Sequence, residues 1–525
     1  MPKVRFRALA FVALASCGSK EPASPPVIAP VAPAPAPVPL EPEKPAPETT
    51  AVSPPEKRPI AVEETLTLAS GATFRVPVGW TMDASNAFLV LESPEHDIRV
   101  AVGDVSGATS ADEAVMKVWH AFDPQWSRPL RIAQERPPRK GWDQRKVFSY
   151  ETSPNEKRVV TAIALRRAEQ WTVVAMDGDQ GGFEKRVGQI QLVGDSLRPA
   201  GYSRESFAGK TAHELDADAV AKIMNVVDQA RLAAEVPGVG LALVQGGKVV
   251  YAGGLGVRSL GKRLPVNEHT LFMIASNTKA LTTFMLAKLV DEGRFAWDTP
   301  VTQLYAKFAL GTPEVTKQVL VKHLLCACTG LPRQDLEWLL EFDKQTPAGV
   351  MKLLSTMQPT SKFGEVFQYS NLMAAAAGYV GAAAVFPRSE LGAAYDAVMQ
   401  SRVFTPLGMR ETTFDFTRAL AANHATPHGN DVEGRVQNAA LDLDYAIEAA
   451  RPAGGAWSSV HDLAKYVMVE LAKGKLPDGK QHISEANIAA RQAPQIEIGE
   501  DLTYGMGLFV DVQYGTPVVR HGGDL

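Results

Sequence analysis

Ser276-Asn277-Thr278-Lys279 places a hydroxyl and an amine three residues apart, where an irregular stretch gives way to a helix expected from Lys279 to Glu292 and closed by Gly293. Side chains three apart on a helix project from one face, so the amine can lie beside the hydroxyl and take its proton. The opening turn of a helix adds a positive dipole end and free backbone N–H groups, which favour an unprotonated amine and a developing oxyanion. A lone Ser-x-x-Lys is weak, because chance supplies on the order of one or two in a chain this long.

Two further clusters give it weight. Tyr369-Ser370-Asn371 precedes the small-residue run Ala374 to Ala377, which reads as a buried helix, and His521-Gly522-Gly523 ends an apolar strand-like run. An attacking serine needs a base, a proton path to the leaving group and a backbone edge for the substrate; Ser with Lys, Tyr with Asn, and a glycine-rich strand supply these parts.

From about Val236 onward the chain resembles the class C β-lactamase and penicillin-binding-protein-related serine hydrolases. Pro237-Gly-Val-Gly-Leu-Ala-Leu-Val, Phe272-Met-Ile-Ala-Ser-Asn-Thr-Lys279, Phe404-Thr-Pro-Leu-Gly-Met409, Pro452-Ala-Gly-Gly455 with Asp462-Leu463, and Tyr504-Gly-Met-Gly507 carry the resemblance in order. It implies a fold of an antiparallel sheet with an all-helical subdomain. It also implies that Ser276 is acylated, that Lys279 and Tyr369 share the base and acid roles, and that Asn371 binds the lysine and a substrate amide or carbonyl. The oxyanion hole would be the N–H groups of Ser276 and Asp524, with His521, Gly522 and Gly523 forming the substrate-binding strand.

Three departures from the family pattern matter. His521-Gly522-Gly523 stands where penicillin binders have Lys-Thr-Gly, so a hydroxyl for a substrate carboxylate is missing and the charge is only partial at neutral pH. This shifts the expectation toward esters or peptides. Cys326-Ala327-Cys328 makes a C-x-C pair in an oxidising compartment; two cysteines are too few for a metal site and a disulfide between residues two apart is strained, so buried free thiols are expected. Relatives continue through further strands and a helix where this sequence stops at Leu525, which predicts an incomplete domain whose activity as written is open. His323 and His461 lack ligand spacing and read as surface or cap residues. Trp338 and Trp457 fit either a pocket wall or the core. No metal and no cofactor is implied, since an activated serine performs this chemistry unaided.

The elements that must position these residues can be read outward from them. An amphipathic helix is expected from about Asp216 to Ala234, followed by a hairpin in which Gly240 to Gln245 and Lys248 to Ala252 flank the turn Gly246-Gly247. The whole reads as an α+β chain. Residues 205–525 form the hydrolase domain, and 61–200 form a smaller α+β domain with no catalytic cluster, read as a spacer or docking module. In the smaller domain, strands are expected at 64–68, 73–76, 87–91, 98–102, 146–150, 159–165 and 171–176, with helices at 111–122 and near 183–192. Residues 18–60 are expected to form a Pro/Ala-rich disordered linker, of which the forty residues from Glu21 to Ile60 could reach about 120 Å at polyproline spacing.

At the start, Lys3, Arg5 and Arg7 precede a short apolar run ending in Leu14-Ala15-Ser16-Cys17, which resembles a bacterial lipobox with Cys17 as the lipidated residue. Gly18 after it implies sorting to the outer membrane, facing the periplasm. A net charge of -4 without long runs of one sign argues against nucleic acid as a partner, and beyond the N-terminus no apolar stretch is long enough to span a bilayer. Contact with the membrane is therefore expected through the lipid alone, and the partner of the site is a small-molecule or peptide substrate. The function expected is a serine hydrolase acting through an acyl-Ser276 intermediate on an ester, amide or peptide in the cell envelope. Its rivals are a β-lactamase or D-alanyl-D-alanine carboxypeptidase, and a catalytically inactive envelope binding protein.

Overall fold

A computed structural model describes residues 57–84, 88–335, 345–442 and 444–524. The signal, Cys17, most of the linker and Trp338 lie outside the described residues. Contacts divide the chain into two compact units, one within Glu21–Ser206 together with Glu497–Asp501, the other within Phe207–Ile496 and Leu502–Leu525.

The first unit is built on an eight-stranded sheet. Its order is Arg58–Pro59, Thr81–Asp83, Leu89–Glu92, Ile98–Val105, Gln170–Asp179, Arg158–Arg167, Gln144–Tyr150 and Leu130–Arg136, and each neighbouring pair is antiparallel. Successive side chains of a strand face opposite ways. Thus Ile98, Val100 and Val102 enter one core with Trp80 and Phe74, while Ala101 and Val105 enter another with Val115 and Trp119. Helix Ala111–Phe122 covers the second face, its first turn capped by the Ser110 side chain accepting the Glu113 N–H. The stretch expected as one helix near 183–192 is two, Gln180–Lys185 and Val187–Ser196, because Arg186 adopts a non-helical backbone between them.

In the second unit, helix Ala217–Ala233 is capped by Asp216, and the hairpin Gly238–Gln245 with Lys248–Gly256 turns on Gly246 and Gly247 at φ 59° and 72°. Positive φ at both central residues is the turn that matches strand twist, and glycine adopts it without steric cost. The large core of this unit surrounds two helices, Thr278–Asp291 and Asn371–Ala383. All thirteen residues of the second helix are buried. Small residues let it approach its neighbours closely: a Cβ at Gly381 would lie 2.4 Å from Leu286, and one at Gly378 2.4 Å from Pro452. Strands Leu502–Tyr504, Phe509–Asp511 and Val518–Arg520 form an antiparallel meander leading into His521. Among the described residues no helix is long and apolar enough to cross a membrane.

Candidate active site

Ser276 sits on a strand, turn and helix junction. Phe272–Met273 pairs with Trp457–Ser458, Ala275 takes φ 47°, a short 3-10 turn covers Ala275–Asn277, and the α-helix starts at Thr278. A left-handed non-glycine residue persists only when its surroundings hold it. Here the Thr278 hydroxyl donates to the Ala275 carbonyl at 2.7 Å, and the Asn277 amide donates to the Ile274 carbonyl at 2.9 Å. Ala456, which follows the short helix Arg451–Gly454, clasps the same turn, with the Ile274 N–H donating to Ala456 O at 3.0 Å and the Ala456 N–H donating to the Thr278 hydroxyl at 3.2 Å.

Lys279 is 1% exposed. Its Nζ lies 3.0 Å from Ser276 Oγ, 2.7 Å from Asn371 Oδ1 and 2.7 Å from the Ala453 carbonyl. Burial drives its pKa well below the ordinary lysine value; the Asp335 charge opposes this and the Arg333 charge reinforces it. The amine also lies 4.7 Å from the centre of the Tyr369 ring. Burial raises the Tyr369 phenol, only partly offset by the Ser276 hydroxyl and Arg333, so at neutral pH it keeps its proton. Asn371 opens its helix, capped by the Ser370 hydroxyl accepting the Met373 N–H, and donates its own amide to Asp335 at 3.0 and 3.1 Å.

The glycine strand reaches the nucleophile from the other side. A Cβ on Gly523 would lie 2.3 Å from the Ile274 carbonyl and 2.8 Å from the Asn277 amide, so only glycine permits this approach. His521 departs from expectation. Burial lowers its pKa to about 3, so the ring is neutral rather than partly charged. Its partners assign the tautomer: Nδ1–H donates to Gly522 O at 2.5 Å, and Nε2 accepts the buried Tyr504 hydroxyl at 3.1 Å. Gly522 follows just beyond the end of strand Val518–Arg520, and Asp524 is exposed.

The cysteine expectation is corrected. Cys326 and Cys328 form a disulfide with Cα atoms 5.0 Å apart, within the usual range, because Ala327 between them takes φ 52° and folds the loop back. His323 accepts the Leu320 N–H at 3.2 Å, a capping role, and Trp457 is core at 1% exposure. Among the described residues no His, Cys, Asp and Glu group could hold a metal ion. Sequence reasoning missed Arg333 and Asp335, whose side chains pair at 2.5 Å beside Asn371 and Tyr369. It missed the Ala453 carbonyl too, although the motif containing that residue was visible.

An unguisins hydrolase of Aspergillus campestris is 26% identical over 307 residues, 55% of this chain and 54% of the relative. A β-lactamase of Escherichia coli is 25% identical over 278 residues, 52% of this chain and 66% of the relative. Penicillin-binding protein 4 of Amycolatopsis lactamdurans is 25% identical over 268 residues, 50% and 66% of the two chains. The chain thus spans between about half and two thirds of the length of these relatives. The octameric penicillin-binding protein homologue from Pyrococcus abyssi superposes with a TM-score of 0.50 at 26% identity, covering 58% of this chain and 68% of that one. A family model described as Beta-lactamase matches residues 219–525, more than half of the sequence, and the chain belongs to that family of serine hydrolases.

Proposed function

We propose that this chain hydrolyses an ester, amide or peptide through a covalent acyl-Ser276 intermediate. The contacts of Lys279 carry the reading. A neutral amine has two N–H bonds and one lone pair; the Asn371 and Ala453 oxygens at 2.7 Å take the two hydrogens, leaving the lone pair for the Ser276 hydroxyl at 3.0 Å. Ser276 Oγ attacks the acyl carbon as its proton passes to Lys279 Nζ. The departing alcohol or amine takes a proton relayed through Tyr369, and water then attacks the acyl ester by the reverse relay. The N–H groups of Ser276 and Asp524 would hold the oxyanion.

The neutral His521, with both ring nitrogens engaged, favours substrates that need no cation at that place. The β-lactamase reading draws on the relatives named above and is the second choice. Residues 1–17 read as a lipoprotein signal with Cys17 as the anchor, placing the hydrolase in the cell envelope with residues 61–200 as spacer or docking module. Mapping the adduct of a fluorophosphonate probe tests the nucleophile: modification at Ser276 is expected, and an unmodified Ser276 would favour the inactive binding protein. A chromogenic ester should be turned over faster than a chromogenic cephalosporin, and the reverse order would overturn the substrate preference.

A further inference from the structure

The Cys326–Cys328 bridge stands in the wall of the active site, and the acylation chemistry does not use it. Both cysteines are buried, at 0% and 5% exposure. Ala327 between them faces the same small cavity as Lys279 and Tyr369. The backbone around the bridge holds the segment that presents the tyrosine: Ala327 O accepts the Gln368 N–H at 2.8 Å, one residue before Tyr369, and Cys328 O accepts the Gly364 N–H at 2.7 Å. Leu325 O accepts the Gly507 N–H at 3.0 Å, tying in the Tyr504 turn as well.

A bridge that closes so short a loop removes little entropy from the unfolded chain, so its effect is local rather than global. Locally it holds Ala327 at φ 52°, a region that side chains with a Cβ seldom occupy. Opening the bridge frees Ala327 to return to ordinary φ and turn its carbonyl away from the Gln368 N–H. A displacement of about 1 Å in a catalytic group can cost up to roughly a hundredfold in rate.

We infer that the Cys326–Cys328 disulfide is a redox-reversible brace for Tyr369, closed in the acylating form and opened by a dithiol to a slower form. In the opening step, two electrons and two protons from the dithiol convert the S–S bond into two thiols, and the dithiol closes into its own disulfide. The inference rests on the hydrolase reading, because only there does the position of Tyr369 set a rate.

The test compares the protein before and after dithiothreitol treatment, with thiol content read by mass after alkylation. Fluorophosphonate labelling of Ser276 is expected to slow by about tenfold or more on opening. Hydrogen exchange at the Gln368 and Gly364 amides should quicken, and reoxidation should restore both. The double variant Cys326→Ser with Cys328→Ser should match the opened form and no longer respond to dithiothreitol. Equal labelling rates in the closed and opened forms would overturn the brace, as would unchanged exchange at Gln368. Loss of the cooperative unfolding transition on opening would identify a structural staple and overturn it too. An unlabelled Ser276 in the closed form would instead remove the hydrolase reading, and the brace with it.

Discussion

Each unit of this protein buries a cation, and the two are treated in opposite ways. Arg186, in the first unit, is 3% exposed and meets the Glu95 carboxylate at 2.5 and 3.0 Å. Lys279, in the second, is 1% exposed, and the hydrogen bonds described for it go to uncharged oxygens of Ser276, Asn371 and Ala453. An ionised partner keeps a buried cation charged and makes it a cohesive element, whereas neutral acceptors in a dry setting lower the cost of losing the proton. Arg491, fully buried, follows the first pattern through Glu470 and ties the nucleophile helix through Ala280 O and Thr283. The unit that holds Lys279 therefore gives one buried cation an ionised partner and meets the other with neutral oxygens.

The largest effect that breaks this contrast is Lys279→Arg. A guanidinium cannot give up its proton. Fluorophosphonate labelling of Ser276 should slow by on the order of 10⁴-fold, measured on protein with an unchanged circular dichroism spectrum. A rate within about tenfold of the parent would show that Lys279 is not the base.

Asn371→Asp gives Lys279 the kind of partner that Arg186 has. The carboxylate should raise the amine pKa, cutting labelling at pH 7 by about a hundredfold and moving the rising limb of the pH profile upward. An unshifted profile would mean that some other group sets the limb.

Glu95→Gln makes the converse change in the first unit, removing the Glu95 charge that Arg186 meets. The expected loss is about 2 kcal/mol of stability in chemical denaturation, discounted because Glu95 is partly exposed. Retention of the parent midpoint would make the pair ornamental.

The smallest effect is one of pH. Burial pushes the Glu95 carboxyl up, but hydrogen bonds and charge from Arg186 and Lys185 outweigh it and hold the pKa at about 2 instead of 4.5. A depressed carboxylate contributes stability that is present above the unfolded value and is lost as pH falls toward the folded one. Acid titration of the first unit should show this loss between pH 4.5 and 2, and Glu95→Gln should flatten it. An unflattened curve in the variant would assign the acid sensitivity to other carboxylates.

Much of the scaffold was legible because burial leaves a period in the sequence. Helix Ala111–Phe122 carries its expected limits, and Ile98–Val105 alternates between two cores. Leu130–Arg136 escaped notice because an edge strand with no buried residue has no apolar pattern to display. Within the site, Ser276 and Lys279 were visible through helical spacing, and Tyr369 and Asn371 through their motif. Arg333 and Asp335 were not, since a charged pair in a loop looks like any solvated surface. Ala453 could not be found by residue type, because the group that matters is a backbone carbonyl, and every residue has one.

By itself the sequence determined which residues could carry acyl transfer and which elements would present them, because spacing on a helix and the order of motifs are properties of the chain. Only the tertiary structure decided the state of those groups. Whether Lys279 is an amine or an ammonium, whether His521 is charged, and whether Cys326 meets Cys328 depend on burial and backbone angle. Those are properties of the assembled surroundings: Ala453 lies 174 residues from Lys279 along the chain and 2.7 Å from its nitrogen in space.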